Sequence, residues 1–436
     1  MPGRVIKKSN DAEMRPDWTL IGYSDCPQTT LDGHAYAKNI VDTWDATITD
    51  RSYYYDKDYQ LMYFPKNVDT TNITNSNYMF RNSNIEDIEI DLSSTTSTIY
   101  AFHNCYNLRN ATIIFNPVIT SLEHLFDTCY GLKSVELKDD NLPWSAANDI
   151  LSNHYVTNIV SIFTNCINLK RFEGGSSDPD ACKIANAQNA FNHCDDLEYL
   201  HVEFPNCSNL GCQYIGSDTS EGCQSIINIG QYSVNPVNFY CNNSRINKES
   251  QINIQKATTA LEMFRGSYID MEDSDIIIEA SSSDYYTGIS CERLFYGCSF
   301  PNGTSGIDIK SVSNAQQMFG ACTFGTNECD ITDITFGSNL TNYYKMFENC
   351  PTLHTITGIN RAPLYGTNFT DMFLSTPNLD DATINDILYF LAHANAYTGT
   401  KTLYEVGFRS GDYSAARIQA LPNYSDFTTA GWTIGY

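Results

Sequence analysis

Carboxylates are the first groups in this chain that could do chemistry. "IEDIEID" (Ile85 to Asp91) and "DMEDSD" (Asp270 to Asp275) crowd acids within a few residues of one another. Paired carboxylates at the right separation cleave glycosides, and six or more converging oxygens hold calcium. A blander use fits the alternation better: acids two apart fall on one face of a strand, and that face is commonly solvated. The eight histidines are scattered. His103, His124 and His193 lie beside a recurring Phe–Cys phrase and read as residues of the repeat surface. No P-loop, GxSxG, HExxH or dinucleotide fingerprint occurs. The reading is of no enzyme, no catalytic residue and no resident cofactor, with calcium the one metal such acids could take.

Fifteen cysteines suggest a disulfide framework until they are aligned. "AFHNCYNLRNATI" from Ala101, "LFDTCYGLKSVEL" from Leu125, "IFTNCINLKRFEG" from Ile162 and "MFENCPTLHTITGI" from Met346 share one wording: apolar–Phe–x–x–Cys–x–x–Leu and a short apolar run. Cys105, Cys129, Cys166, Cys194, Cys298, Cys322 and Cys350 fill the same place in that wording. A residue repeated at one place in a stack is best read as a small buried hydrophobe, so these thiols are expected reduced. Cys207, Cys212 and Cys223 fall close together outside the column, and a disulfide among them stays open. With no CxxC pair and no histidine at ligand spacing, zinc is the poorer reading there.

What must position these residues is the repeat itself. Its aromatic marker runs Tyr55, Phe80, Phe102, Phe126, Phe163, Phe191, Tyr214, Tyr240, Phe264, Phe295, Phe319, Phe347 and Phe373, about thirteen units with most steps of 22 to 28 residues. Such a period belongs to leucine-rich-type solenoids, in which one unit buries its apolar face only against the next. Ahead of the aromatic lie stretches such as "SNAQQM" (Ser313 to Met318), compatible with a helical turn. Beyond the Leu comes a short strand: in "LEYLHVE" Leu197, Leu200 and Val202 face the core while Tyr199, His201 and Glu203 face out. The predicted fold class is an α/β repeat solenoid of strand-plus-helical-turn units.

The phrase resembles the BspA-type leucine-rich repeat, whose "AFxxCxxLxxIxI" is matched nearly letter for letter at Ala101–Cys105–Leu108 and Ala190–Cys194–Leu197. The resemblance spans residues 53 to 380. It weakens at Phe80, Tyr240 and Phe264, where the Cys place is read as Ser83, Asn243 and Ser267. Before the repeats, residues 31–52 place Tyr36, Ile40 and Trp44, and Ala37, Val41 and Ile48, at helical spacing and predict a helical cap, since a stack needs polar-faced ends. After them, residues 381–436 predict a small α/β cap, with a helix whose N-cap is Thr383. The closing "GWTIGY" and the opening "AKNIVDTWDATITD" resemble the ends of repeat-bearing tail and host-recognition proteins of tailed phages. Residues 1–30 carry no periodic pattern; Arg4, Lys7, Lys8 and Arg15 make them a basic docking arm for other structural proteins of a virion.

Composition narrows the function further. The formal charge of −25 argues against nucleic acid, because phosphate contacts need Lys and Arg. No segment approaches the ~18 apolar residues of a membrane span, and the opening stretch lacks the apolar run of a secretory signal. The 29 tyrosines exceed what packing the units needs, so many are expected on the surface. The function these features imply is a virion protein of a tailed phage, made in the host cytoplasm, that meets a host surface glycan or protein. A BspA-like bacterial surface adhesin is the alternative and a solenoid polysaccharide-degrading enzyme the third reading. A homo-oligomer is compatible with either binding role. Outward strand residues Glu89, Glu136, Glu173, Tyr199 and Glu203 would form a self-repelling acidic stripe. The long insertions are therefore the expected ligand site, through Trp144, Tyr155, Tyr285 and Tyr286, whose rings combine contact area with hydrogen bonding.

Overall fold

The computed structural model describes residues 44–435 apart from 53, 55–63, 66–67, 140–148, 153–154, 258, 271–274, 281–287, 306, 310–311, 326–330, 332–339 and 360–364. The described chain forms two compact units, one from residues up to 222 with 232–234, the other from 223–231 with 235 onward. Each is a parallel β-solenoid. On its broad face the first unit stacks Asp87–Leu92, Asn110–Phe115 and Ser134–Lys138, then Arg171–Gly175 and Tyr199–Phe204. The second stacks Gln224–Ile229, Gln251–Ala257, Asp275–Ala280 and Ile307–Ile309. In-register alternation holds: Leu200 and Val202 are fully buried while Tyr199, His201 and Glu203 point outward. The broad face thus carries nine strands among the described residues, five and four, rather than thirteen. Elsewhere a rung is held by isolated bridges such as Ile331↔Ile356.

The helical turns expected ahead of each Phe are not helices. Around Phe102, the N–H groups of Ala101, His103 and Cys105 bond three residues back within the rung, to Thr98, Tyr100 and Phe102. Those of Tyr100, Phe102 and Asn104 instead bond the next rung, at Glu123, Leu125 and Asp127. A helix sends every N–H along its own axis; here every second one is turned outward to the neighbour. Left-handed residues two before and two after the aromatic do the turning: Tyr78 and Asn82, Tyr100 and Asn104, His124 and Thr128, Ser161 and Asn165, all with φ between 53° and 64°. Each costs a side-chain-bearing residue ~1–2 kcal/mol, offset by the bonds that the ladder gains.

Inside, the aromatics stack. Phe80, Phe102, Phe126, Phe163 and Phe191 follow one another at 5.1 to 5.8 Å, and Phe264, Phe295, Phe319, Phe347 and Phe373 at 5.3 to 5.7 Å. Tyr214 and Tyr240 do not belong to this column. Phe191 N–H bonds the carbonyl before Cys212, and Cys241 N–H bonds the carbonyl before Phe264, so Cys212 and Cys241 hold the aromatic's place. Likewise Ser244, whose N–H bonds the Ser267 hydroxyl at 3.1 Å, stands in the Cys place instead of Asn243.

At the ends, residues 44–50 contain a turn and no helix, and Ile48 is exposed rather than packed. Residues 1–43 lie outside the described region. The C-terminal helix Asp381–Ala392 is capped by Asp380, not Thr383: the Asp380 carboxylate accepts the Thr383 N–H at 2.7 Å, while the Thr383 hydroxyl accepts the Ile356 N–H. Short helices Leu403–Val406, Ala415–Gln419 and Tyr424–Thr429 complete this end. Trp432 is buried between Tyr397 and Phe427, and Phe408 closes the aromatic column over Phe373. Gly407 is required where these meet, because its φ is 106° and a Cβ would come within 2.5 Å of the Leu374 nitrogen.

Candidate functional site

Of the residues singled out for ligand contact, Tyr155 is described and half-exposed, at 50%. Trp144, Tyr285 and Tyr286 lie outside the described residues, as do Arg4, Lys7, Lys8 and Arg15. The described part of the first insertion is structural. Ile150–Ser152 forms a single 3₁₀ turn with Ile150 and Leu151 fully buried. It wedges against Ser134–Lys138 and Arg171–Gly175, Leu151 filling the space over Gly174. Asp149 anchors the wedge by accepting the N–H of Leu151 and of Gly175, each at 3.1 Å. The Ser152 hydroxyl lies 3.2 Å from Asp149 and 2.8 Å from the Gly175 carbonyl. One hydroxyl proton cannot serve both. A protonated Asp149 resolves this by donating to Ser152, which then donates to Gly175. Burial agrees, pushing the Asp149 carboxyl up to about 7 against its hydrogen bonds.

The broad face of the first unit is not the self-repelling stripe its acids suggested. Thr112 separates Glu89 from Glu136 in register. His201 sits between Glu173, at 3.3 Å, and Glu203, at 3.2 Å. The Glu203 bond, more than burial opposes, raises the His201 pKa. Arg171 lies over the Tyr199 ring at 4.1 Å. In the second unit the outward positions are largely amides and isoleucines: Gln224, Ile226, Asn228, Gln251, Asn253 and Ile277.

The third surface is the edge formed by the left-handed turns. In the first unit Tyr78, Tyr100 and His124, each two before the column Phe, stack at 5.2 and 4.3 Å with planes within 9°. Four after the Phe, Tyr106 and Tyr130 stack at 5.3 Å and stay 51% and 42% exposed. Between these rows Asn104 donates to Asn82 at 3.1 Å and Asn165 to Thr128 at 3.3 Å. His124 is paired to Asp127 at 2.8 Å. The equivalent edge of the second unit is ionic. Arg265 and Arg293 both reach Glu262, Arg293 bonds Gln317, Gln317 bonds Glu348, and Lys345 meets Glu348 at 2.6 Å. Sequence reasoning placed many tyrosines on the surface without finding this row. Its signal is positional, Tyr or His at fixed distances from the Phe, and is visible only once the turns are known to project those places outward.

The cysteine column is explained by the same register. Each thiol donates to the carbonyl of the preceding rung's aromatic: Cys105 to Phe80, Cys129 to Phe102, Cys166 to Phe126, Cys194 to Phe163, Cys298 to Phe264, Cys322 to Phe295 and Cys350 to Phe319, at 2.9 to 3.3 Å. Thr376 does the same with its hydroxyl, to the Phe347 carbonyl, and the Ser267 hydroxyl donates to the carbonyl of Cys241, which holds the aromatic's place in its rung. The place therefore selects a small donor, and Cys combines that with apolar bulk. Burial pushes the Cys298 and Cys350 thiols up to about 12. Cys207 bonds the Asn209 carbonyl.

Among the described residues no three His, Cys, Asp or Glu gather as metal ligands would, and no helix is long and apolar enough to cross a membrane. Residues 45–147 match six copies of the BspA type leucine rich repeat region. Residues 234–359 and 282–385 match a family described as a Mycoplasma protein of unknown function. No curated protein and no solved structure matches the chain.

Proposed function

We propose that the chain is a non-enzymatic binding protein of a tailed-phage virion, whose repeats present a surface to a host glycan or protein receptor. The observation that carries the binding role is the exposed ring-and-amide edge of the first unit, a rigid hydrogen-bonding surface whose residue types suit recognition. The repeat match over residues 45–147 supports it. Placement on a virion rests on the resemblance of the two ends to phage tail proteins. In this reading the arm with Arg4, Lys7, Lys8 and Arg15 docks on neighbouring virion proteins, and neither nucleic acid nor a membrane is a partner. Mass spectrometry of purified virions tests it: the chain is expected in stoichiometric amount, and its absence from particles sinks the placement. Deleting residues 1–30 is expected to leave the far-UV circular dichroism unchanged and to abolish incorporation. A BspA-like surface adhesin is the second reading, favoured by the repeat match itself. Recovery in the bacterial envelope fraction, with none in particles, selects it.

A further inference from the structure

We propose that Asp149, Ser152 and Gly175 form a proton-operated clasp, which seats the Ile150–Ser152 turn in a seam of the broad face while the Asp149 carboxyl is protonated and loosens it once the proton is lost. The inference concerns the first unit's own structure and does not depend on the binding role proposed above.

The seam is a break in the strand ladder. Ser134–Lys138 pairs with Asn110–Phe115 on one side, and Arg171–Gly175 pairs with Tyr199–Phe204 on the other. The two belong to different sheets, and among the described residues no ladder joins them. The turn fills that place. Ile150 and Leu151 are fully buried, and a Leu151 methyl carbon stands 3.0 Å from where a Cβ on Gly174 would be. Asp149 bridges to Lys138 on the near side. On the far side both backbone groups of Gly175 are held, its N–H by the Asp149 carboxyl at 3.1 Å and its carbonyl by the Ser152 hydroxyl at 2.8 Å.

Counting protons makes this connection a switch. With the carboxyl protonated every group is paired: Asp149 accepts the N–H of Leu151 and of Gly175 and donates to Ser152, which donates to the Gly175 carbonyl. Without that proton one hydroxyl hydrogen faces two acceptors. Either the Gly175 carbonyl loses its donor, or a buried carboxylate keeps only two amides. Both cost free energy where water is excluded. Unseating the turn gives the carboxylate to water and removes that cost.

The surrounding charges leave the switch in place. Burial is the largest influence on the Asp149 carboxyl and raises it, and Asp139 adds to the rise. Lys138, the buried bridge partner, is the cation that favours the carboxylate. Arg171 lies over the Tyr199 ring, and Glu173 and Glu203 are both taken by His201. Glu136 is on the outward side of its strand, with Thr112 in register beside it. The Cys182 thiol, pushed up to about 11 chiefly by burial, stays neutral below pH 8.

The test is amide hydrogen exchange of the full chain, read at Leu151 and Gly175, whose N–H groups the carboxyl holds. Dividing by the rate of the same sequence in an unstructured peptide at each pH leaves the opening equilibrium. The carboxyl is at about 7 in the seated turn against 3.8 in water. Opening is therefore expected to rise about tenfold per pH unit between roughly pH 4 and 7 and to level off above. Asn110–Phe115, in the same unit, is expected to stay more protected than the turn at every pH. In Asp149→Asn the opening at both amides is expected to be level from pH 4 to 8. Three results overturn the inference. One is opening in the parent that ignores pH. Another is equal opening at the turn and at Asn110–Phe115, which means that the turn leaves only when the unit unfolds. The third is an unchanged rise in Asp149→Asn, which assigns the proton to another group. Should circular dichroism show that the variant does not fold, the two measurements on the parent decide alone.

Discussion

The two units share an interior and differ at the edge. Both stack phenylalanines at 5 to 6 Å, and in both a thiol or hydroxyl three places on donates to the preceding aromatic's carbonyl. Outside, the same turn positions carry stacked Tyr and His rings in the first unit and interlocked Arg, Glu, Gln and Lys in the second. Backbone chemistry follows the division. The left-handed place after the Phe is Asn82, Asn104, Thr128 and Asn165 in the first unit, but Gly266 and Gly297 in part of the second. The fold dictates the inward residues because each must fill a fixed gap between rungs. It leaves the outward ones free to differ, and the two edges are satisfied by different chemistry.

If the interiors are equivalent, deep truncations should hurt both units alike. Phe163→Ala and Phe319→Ala are each expected to cost about 3–5 kcal/mol, since both rings are buried between two neighbours. Urea unfolding checks this. A clear difference between the two would show that one column is less tightly packed and break the comparison at its base.

The insertion wedge belongs to the first unit, and pH should expose it. The Asp149 carboxyl, ordinarily near 3.8, is raised to about 7 in the folded chain. An acid raised on folding contributes stability that is whole below its unfolded value and is lost as pH rises through the folded one. Between roughly pH 4 and 7 the unfolded chain gives up this proton and the folded chain keeps it, so stability falls across that window. Asp149→Asn should be less stable at pH 5, where it lacks the carboxyl relay to Ser152 and Gly175, and should show a smaller fall from pH 5 to 8, the remaining fall coming from His201, whose raised pKa also loses stability as pH rises. Unfolding midpoints at the two pH values decide it, and an unchanged slope in the variant would assign the pH dependence elsewhere.

How much of this was legible in the chain follows the same inward–outward division. Cys105, Phe102, Leu108 and Leu200 declared their burial because repetition made a column of each. The expected helical turn failed for a physical reason: Ala101, Phe102, Cys105 and Leu108 are spaced one, three and three apart, which is also the spacing of a helix face. Only the left-handed Tyr100 and Asn104 separate the two structures; Tyr gives no sign of a positive φ, and Asn, which tolerates one, is equally common at helix caps and in turns. Tyr214 and Tyr240 were misplaced because their units carry Cys212 and Cys241 where an aromatic was sought. The acids of the broad face and His201 read as outward from the alternation, but what relieves the acids depends on register between rungs: Thr112 stands between Glu89 and Glu136, and His201, beside Glu203 on its own strand, reaches Glu173 of the rung before.

Smaller effects are expected in the cysteine column. Cys166→Ala and Cys322→Ala should each cost about 1–2 kcal/mol, through a small cavity and the loss of a donor to the Phe126 and Phe295 carbonyls. Serine, which already fills this place at Ser267, should recover part of that loss. The thiols should resist a disulfide reagent in the native chain, because burial raises Cys298 and Cys350 to about 12 and leaves almost no thiolate. Peptide mapping that finds column cysteines linked to one another would contradict this.

The edges should differ least in energy and most in kind. Glu262→Gln weakens two exposed ion pairs, to Arg265 and Arg293, and surface pairs are worth roughly 0–1 kcal/mol. Tyr100→Ala removes a ring stacked between Tyr78 and His124, worth roughly 0.5–1.5 kcal/mol beyond its buried area. Salt distinguishes them. Raising ionic strength screens the ionic ladder, so the penalty of Glu262→Gln should shrink toward zero near 1 M salt, where the screening length is ~3 Å. Ring stacking carries no net charge, and the Tyr100→Ala penalty should hold across the same range. Denaturation by urea, which leaves ionic strength to the added salt, measures both. If the Tyr100→Ala penalty falls with salt as steeply as the other, the first unit's edge is also held by charge, through His124 and its Asp127 pairing. The division between a self-satisfied ionic edge and a neutral edge open to a partner would then fail.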